Sequence, residues 1–300
     1  MEATDTRPGE ASGEAHGASP GWAAAATLWG TTLAIFWPAL RWLVAVTLDQ
    51  QQLVQAFVVF GVAGLLLASE GGGLRPVWRL GPAVTWRLLV AYALVALAMW
   101  LKWPVLVLVA LCAAIGAAAR FVFGERARHA SRWVVPALGL YLFLVVAMPF
   151  FDWPLRILSG RFGAWLLDAA GRQVQLFVVL RPDPSLMLVM DGRVFEVAAE
   201  CNGFGLLGST SLLALLLAGA SREAWWRRVG KGCVSVALGF AANVLRIFVI
   251  CLCSGWAGQR HYHLMHEVVG TACVIAALGA VWWLWRGSGR DHGERSQPTR

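Results

Sequence analysis

The sequence has little charge and almost no lysine. Charged residues make up 14% of its 300 residues, apolar residues make up 58%, and the only lysines are Lys102 and Lys231. A soluble domain of this length would need many more charged side chains on its surface. The composition therefore excludes an ordinary soluble protein and favours a polytopic membrane protein.

A continuous basic stripe is also missing, although the formal net charge is +8. The arginines stand in short clusters between apolar runs, which is the distribution expected of loops on the cytoplasmic side of a membrane. This pattern argues against nucleic acid as a partner. The 17 tryptophans suit helix ends that lie at a membrane–water interface.

The sequence lacks the usual motifs of metal sites and of intramembrane serine or zinc proteases. It contains no Cys-x-x-Cys, no His-Glu-x-x-His and no Gly-x-Ser-Gly. Five of its six cysteines lie inside apolar runs, where cysteine behaves as a small hydrophobic residue. We predict neither a cofactor nor a metal. Cys201 is the cysteine with a different context.

Eight runs are candidates for membrane-spanning helices, which need about 20 mostly apolar residues. They cover residues 23–46, 53–69, 84–101, 103–123, 133–151, 203–220, 232–254 and 268–285. The second run is short, so seven spans are the alternative. Basic clusters alternate with loops of low positive charge along the chain. This alternation predicts a multi-pass protein of the cell inner membrane with both termini in the cytoplasm.

A long segment between the fifth and sixth spans, residues 152–200, is predicted to lie outside the cytoplasm. Its first part, 154–168, is amphipathic and is expected to form an interfacial helix. Three β-prone runs follow, which predict a small hairpin or three-stranded cap: Gln175–Leu180, Ser185–Met190 and Arg193–Val197.

The expected fold class is therefore an all-α polytopic membrane protein with about eight spans and a small extracytoplasmic α/β cap. A cytoplasmic tail, 1–21, precedes five spans in 22–151, and we expect that tail to be disordered and to contain no cleavable signal peptide. The cap in 152–200 leads into three spans in 201–286. Residues 287–300 form a second tail that is also expected to be disordered.

Cys201 stands at the outer start of the sixth predicted span. A thiol at a helix N-terminus faces the positive end of the helix dipole and backbone N–H groups, which favour the thiolate. The alternative is a buried, inert thiol.

Arg246 lies within the seventh predicted span, in its outer half. An arginine inside a span is costly and marks a functional position unless its side chain extends to the interface, which is the alternative here. Asn243 lies one helical turn earlier on the same face, and two polar residues on one face indicate a polar pocket.

His266 precedes the last predicted span on the same side of the membrane. His261 and His263 stand close to it, so a histidine metal site is one alternative, and either of them could take the place of His266. A histidine can serve as base for a thiol and as acid for a leaving amine, and an arginine can stabilise a thiolate or an oxyanion. The topology brings Cys201, Arg246 and His266 to one membrane face.

Three ordered segments carry a family resemblance: Ala199–Gly203 around the cysteine, Asn243–Arg246, and His266–Gly270. They resemble the signature segments of exosortases and archaeosortases. The resemblance implies that Cys201 is the nucleophile of a membrane cysteine protease or transpeptidase, with Arg246 and His266 as its partners. Many members have serine after the cysteine, where this chain has Asn202. Asn202, Asn243 and Glu267 are predicted to support the site.

The implied function is cleavage of a C-terminal sorting signal of the PEP-CTERM type at the outer membrane face. The implied partners are the C-terminal transmembrane segments of exported proteins, together with membrane lipids. Two alternatives stay open, a transporter or channel and a non-catalytic partner in envelope polysaccharide export. The sequence leaves the oligomeric state, the substrate motif and the acceptor, water or an amine, undetermined.

Overall fold

A computed structural model describes residues 22–49, 58, 61–62, 64–65, 80–124, 128–180, 184–197, 203–221, 223–257 and 262–286. Its order of elements is α1 (Trp22–Asp49), α2 (Pro82–Leu101), α3 (Pro104–Phe123), α4 (Arg128–Ala169), β1 (Val174–Val179), β2 (Ser185–Met190), β3 (Arg193–Val197), α5 (Phe204–Ala220), α6 (Trp225–Ala257) and α7 (Tyr262–Arg286).

Six of the described helices are long and apolar enough to cross a membrane. They are α1, α2, α3, α4, α6 and α7, and they correspond to six of the eight predicted spans. The predicted span at 203–220 is the shorter apolar helix α5. Most of the predicted span at 53–69 lies outside the described residues. The chain is thus a multi-pass membrane protein by helix length and composition.

Helices α2 and α3 form a tight antiparallel pair. Each begins with proline, whose missing N–H group costs nothing at the first position of a helix. Lys102 ends α2 in the left-handed region at φ 53°, and the Trp103 N–H donates to the Ala98 carbonyl at 3.0 Å. The pair packs with α1 and α4 around a core that includes Phe36, Leu111, Tyr141 and Leu142.

Helix α4 is longer than predicted. We expected a span ending at residue 151 and a separate interfacial helix from 154, but one helix runs from Arg128 through Ala169. At 42 residues it is about 63 Å long, roughly twice the thickness of a hydrocarbon core. Its last part continues the same helix, with Ala164 and Leu167 packed against the sheet and α6, whereas Leu158, Phe162 and Trp165 of its apolar face are exposed.

The three predicted strands are confirmed and form one antiparallel sheet in the order β1-β2-β3. Along β2 the side chains alternate, so that Leu186, Leu188 and Met190 are buried. These three residues pack with Leu167 of α4 and Ile247 of α6. The sheet is therefore attached to the ends of two long helices.

Helices α5, α6 and α7 form a compact group. Helix α5 lies antiparallel to α6, because Gly203 and Gly239 contact Asn243 and Leu206 respectively across the pair. Helix α7 lies antiparallel to α6 as well, since Gly270 contacts Arg246 and the Trp285 indole donates to Ser235 at 3.2 Å. In contrast α4 and α6 run parallel where they touch, at Ser159–Asn243 and Gly163–Ile247.

Candidate active site

Gly203 is the capping residue at the start of α5. Gly203 has φ +83°, a left-handed conformation that other residues adopt at a cost. A Cβ atom at this position would lie 2.5 Å from Asn243 Nδ2 and 2.7 Å from its Cγ. Two features thus require glycine at position 203: the left-handed backbone angle and the close approach of Asn243.

Asn243 is fully buried and is held from a third helix. Its Nδ2 donates to Ser159 Oγ of α4 at 3.0 Å, and both residues have no exposed surface. One turn further along both helices, a Cβ atom at Gly163 would lie 3.0 Å from Ile247 Cγ2. Small residues on α4 therefore let it approach α6 closely at this level.

Arg246 lies one turn beyond Asn243 on α6 and contacts His266 of α7. Its Nη2 is 3.4 Å from His266 Nε2, which is long for a hydrogen bond. A guanidinium can only donate, so in this contact the imidazole Nε2 is the acceptor. The contact joins two residues predicted from separate segments of the sequence.

The guanidinium of Arg246 lies against the backbone of α7 at Gly270, one turn after His266. A Cβ atom at Gly270 would lie 2.9 Å from Nη2 and 3.1 Å from both Cζ and Nε of Arg246. Cys273, a further turn along α7, is close enough to interact electrostatically with Arg246. The absence of a side chain at Gly270 thus makes room for the guanidinium beside His266.

The sheet and the end of α4 cover this end of α6. Ile247 and Cys251 belong to the cluster of buried residues that also holds Leu186 and Val197. Val197 is the last residue of β3 and is buried, and it precedes Cys201 by four residues. The sheet is therefore fixed beside the polar group.

The structure brings Asn243, Arg246 and His266 together at the end of the bundle where α5 begins. His266 is not in a loop as predicted but within α7, which begins at Tyr262. Glu267 is exposed and forms no ion pair with any described residue.

Three residues discussed from the sequence, Cys201, Asn202 and His261, lie outside the described residues, and His263 lies in the first turn of α7. Within the described part of the chain, no cluster of three or more His, Cys, Asp and Glu side chains could hold a metal ion. The histidine metal alternative depends on His261 and His263 and so stays a hypothesis.

Sequence reasoning missed two residues of this group, Ser159 and Gly270. The signal for Ser159 was present, because Ser159, Gly160 and Gly163 form a stripe of small residues within an otherwise bulky amphipathic stretch. Gly270 follows His266 by four residues and therefore shares its helical face. Its role becomes visible only when the position of Arg246 is known.

Searches of curated proteins and of solved structures find no match to the chain. A family model described as transmembrane exosortase (Exosortase_EpsH) matches residues 74–283. The match includes all of α2 through α6, the sheet, and the Arg246–His266 contact. It spans well over half of the chain, which therefore belongs to the transmembrane exosortase family.

Proposed function

We propose that the protein is a membrane cysteine transpeptidase or protease that cleaves a C-terminal sorting signal of exported proteins. The observation that carries this proposal is the contact between Arg246 and His266 beside the capping turn at Gly203. Membership of the exosortase family supports the general class of reaction. Cys201, Arg246 and His266 are the proposed catalytic residues.

Covalent geometry supports the inclusion of Cys201. It precedes Gly203 by two residues, and two residues span at most about 7 Å. Gly203 packs directly on Asn243, which is one turn from Arg246. Cys201 must therefore lie within about 7 Å of Gly203 whatever the path through Asn202, which supports its assignment to the same site as Arg246 and His266.

The proposed reaction has two steps. The Cys201 thiol gives its proton to His266, and the thiolate attacks the scissile carbonyl carbon, forming a C–S bond. The C–N bond then breaks as His266 returns the proton to the leaving amine, which leaves a thioester. In the second step, water or an amine gives a proton to His266 and attacks the thioester. The C–S bond breaks and the thiol is regenerated.

Arg246 is proposed to stabilise the Cys201 thiolate and then the oxyanion formed in each step. A charged oxygen is a stronger hydrogen-bond acceptor than a neutral imidazole nitrogen. The guanidinium is therefore expected to leave His266 Nε2 as negative charge develops, first on the thiolate and then on the oxyanion, since the observed contact of 3.4 Å is long and weak. Its departure makes Nε2 available for the proton transfers.

We further infer that this site lies at the outer membrane face and that both termini lie in the cytoplasm. The supporting observation is the alternation of basic clusters along the chain. The sheet supports a position outside the hydrocarbon core for this end of the bundle, because its exposed edges need solvent rather than hydrocarbon. With residues 53–69 as a further span the chain has eight spans, and an even number of spans leaves both termini on the same side of the membrane.

The test is co-expression with an exported protein that ends in a short motif, one apolar helix and a basic tail. Loss of the C-terminal segment is followed by immunoblot in cells containing the wild type, Cys201→Ala or Cys233→Ala, the last being an exposed cysteine remote from the site. We expect processing by the wild type and Cys233→Ala and none by Cys201→Ala, with equal amounts of each protein in the membrane. Undiminished processing by Cys201→Ala would overturn the proposal.

A further inference from the structure

A second polar site lies at the opposite end of the helix bundle from Arg246 and His266. Arg132 belongs to this second site, and its neighbour Trp133 packs over Gly219 near the end of α5. Gly203, in contrast, caps the beginning of α5. The 17 residues of α5 separate these two ends by about 25 Å. The two sites are therefore independent of each other.

The site is a cavity of about 270 Å³ between α2, α3 and α4. It is lined by Arg87, Cys112, Ala113, Gly116, Arg132, Val135 and Pro136. These lining residues contribute two positive charges and no negative charge. The rest of the lining is apolar or small, so the cavity has a cationic part and an apolar part.

Arg87 is fixed in the wall of the cavity. It is half-buried in α2, and its Nη1 donates to the Gly116 carbonyl of α3 at 3.2 Å. A Cβ atom at Gly116 would lie 3.1 Å from Val135 Cγ2 and 3.5 Å from Arg87 Nη1. Glycine at this position thus brings α4 and the guanidinium together and shapes the base of the cavity.

Arg132 stands at the rim and is exposed. It forms no ion pair or hydrogen bond with any of the residues that the structure describes. Pro136, one turn further along α4, is exposed as well, so the cavity opens at the surface of the helix bundle. In a membrane-spanning chain, an opening at this surface is accessible to lipid.

We propose that this cavity binds the phosphate of an anionic phospholipid, with Arg132 and Arg87 as its charged partners. Basic pockets between membrane-spanning helices are suited to anionic headgroups. Arginine binds phosphate oxygens through pairs of N–H groups, and the apolar wall at Ala113, Val135 and Pro136 suits the start of an acyl chain. At about 270 Å³, the cavity is below the roughly 300–1,000 Å³ typical of drug-sized ligands and fits one headgroup.

The size and lining distinguish the lipid from a free phosphate ion. A free ion would gain nothing from the apolar wall, whereas a phospholipid places its headgroup and its chain in the two parts of the cavity. The side of the membrane follows from the predicted topology, in which the Arg132 end faces the cytoplasm.

The test uses the purified full-length chain in detergent and native mass spectrometry. Phosphatidylglycerol with two oleoyl chains is titrated, and phosphatidylcholine with the same chains and inorganic phosphate are titrated in separate arms. We expect one retained phosphatidylglycerol, little phosphatidylcholine, and no displacement by inorganic phosphate. Equal retention of the two lipids, or displacement by inorganic phosphate, would overturn the assignment.

Variants locate the site. Arg132→Gln is expected to weaken phosphatidylglycerol binding about tenfold, the loss of one charge-assisted contact, and Arg132→Lys less so. Arg227→Gln is the matched control, because Arg227 is also exposed and stacks on Trp226 with its Cζ 4.9 Å from the ring centre. If both glutamine variants lose the lipid equally, the cavity is not the binding site. Because Arg132 is exposed, its replacement leaves the packing intact, and the thermal unfolding temperature without lipid checks this.

Discussion

At the scale of single residues, the group around Arg246 depends on neighbouring glycines, which have no side chain, as much as on charge. Gly203 and Gly270 each leave a space that a functional side chain occupies, Asn243 in one case and Arg246 in the other. Ser159 supplies the hydroxyl group that holds Asn243. The positions of these three residues are therefore testable without changing a proposed catalytic group.

Gly270→Ala should displace the Arg246 guanidinium, because the new methyl group would lie 2.9 Å from Nη2. We expect processing of a sorting signal to fall by roughly a hundredfold, since a shift of about 1 Å at a reacting group has such an effect. Gly279→Ala is the control, because it lies on the same helix with nothing within 4 Å of the added methyl group. It should keep full activity and stabilise the helix by about 1 kcal/mol. Equal activity of the two variants, measured by immunoblot, would contradict this role of Gly270.

Ser159→Ala should remove the hydrogen bond to Asn243, with a cost of about 1 kcal/mol to stability. Because Asn243 packs on the turn at Gly203, we expect processing to fall about tenfold while the amount in the membrane stays the same. Ser211→Ala provides the comparison, since the Ser211 hydroxyl donates only within its own helix, to Leu207 O at 2.6 Å. If Ser159→Ala processes substrate as fast as Ser211→Ala does, Ser159 has no positioning role.

At the scale of elements, the sheet and the last part of α4 form one packed unit with α6. Leu186 is buried directly on Gly160, where a Cβ atom would lie 2.8 Å from Leu186 Cδ2. The strands of this unit were predictable, because β-prone runs alternate with the turns at 181–184 and at Asp191-Gly192. The continuity of α4 was not predictable from the sequence. Pro149 and Pro154 indicate a break in the helix, but packing keeps α4 continuous through both residues.

Leu186→Ala should destabilise this unit by about 2–5 kcal/mol, the usual effect of a leucine-to-alanine cavity in a core. Thermal unfolding in detergent, followed by circular dichroism, measures the loss. Leu180→Ala makes the same chemical change at a side chain that is 74% exposed at the end of β1, and it should leave the unfolding temperature within about 1 °C. Similar losses in both variants would show that the sheet does not pack on α4 as described.

At the scale of the whole molecule, contacts between helices give the directions of neighbouring helices relative to each other. Helices α4 and α6 are parallel at their contact, so an odd number of crossings must separate them. Helix α5 supplies one membrane crossing, although its 17 residues are fewer than the roughly 20 residues of a full span. The contact between Arg246 and His266 could not be predicted to this detail from sequence, because charge patterns give a membrane side but no distance.

Labelling from one side of the membrane tests this topology. A cysteine placed at Gly192, in the turn between β2 and β3, should react in whole cells with a maleimide that does not cross membranes. A cysteine placed at 290 in the C-terminal tail should react only after the cells are opened. Both are introduced into a variant in which the natural cysteines are replaced by alanine. Labelling of residue 290 in intact cells would reverse the proposed orientation.

The central claim is that Cys201 is a reactive thiol activated by Arg246 and His266, and its alkylation rate tests this without a known substrate. The full-length protein in detergent is treated with iodoacetamide near neutral pH, and modification of each cysteine is followed by mass spectrometry. Cys233, which is exposed, serves as the internal reference. We predict that Cys201 reacts at least about tenfold faster than Cys233 and that Arg246→Gln removes most of this advantage. A Cys201 that reacts no faster than Cys233, or whose rate is unchanged in Arg246→Gln, would contradict the account.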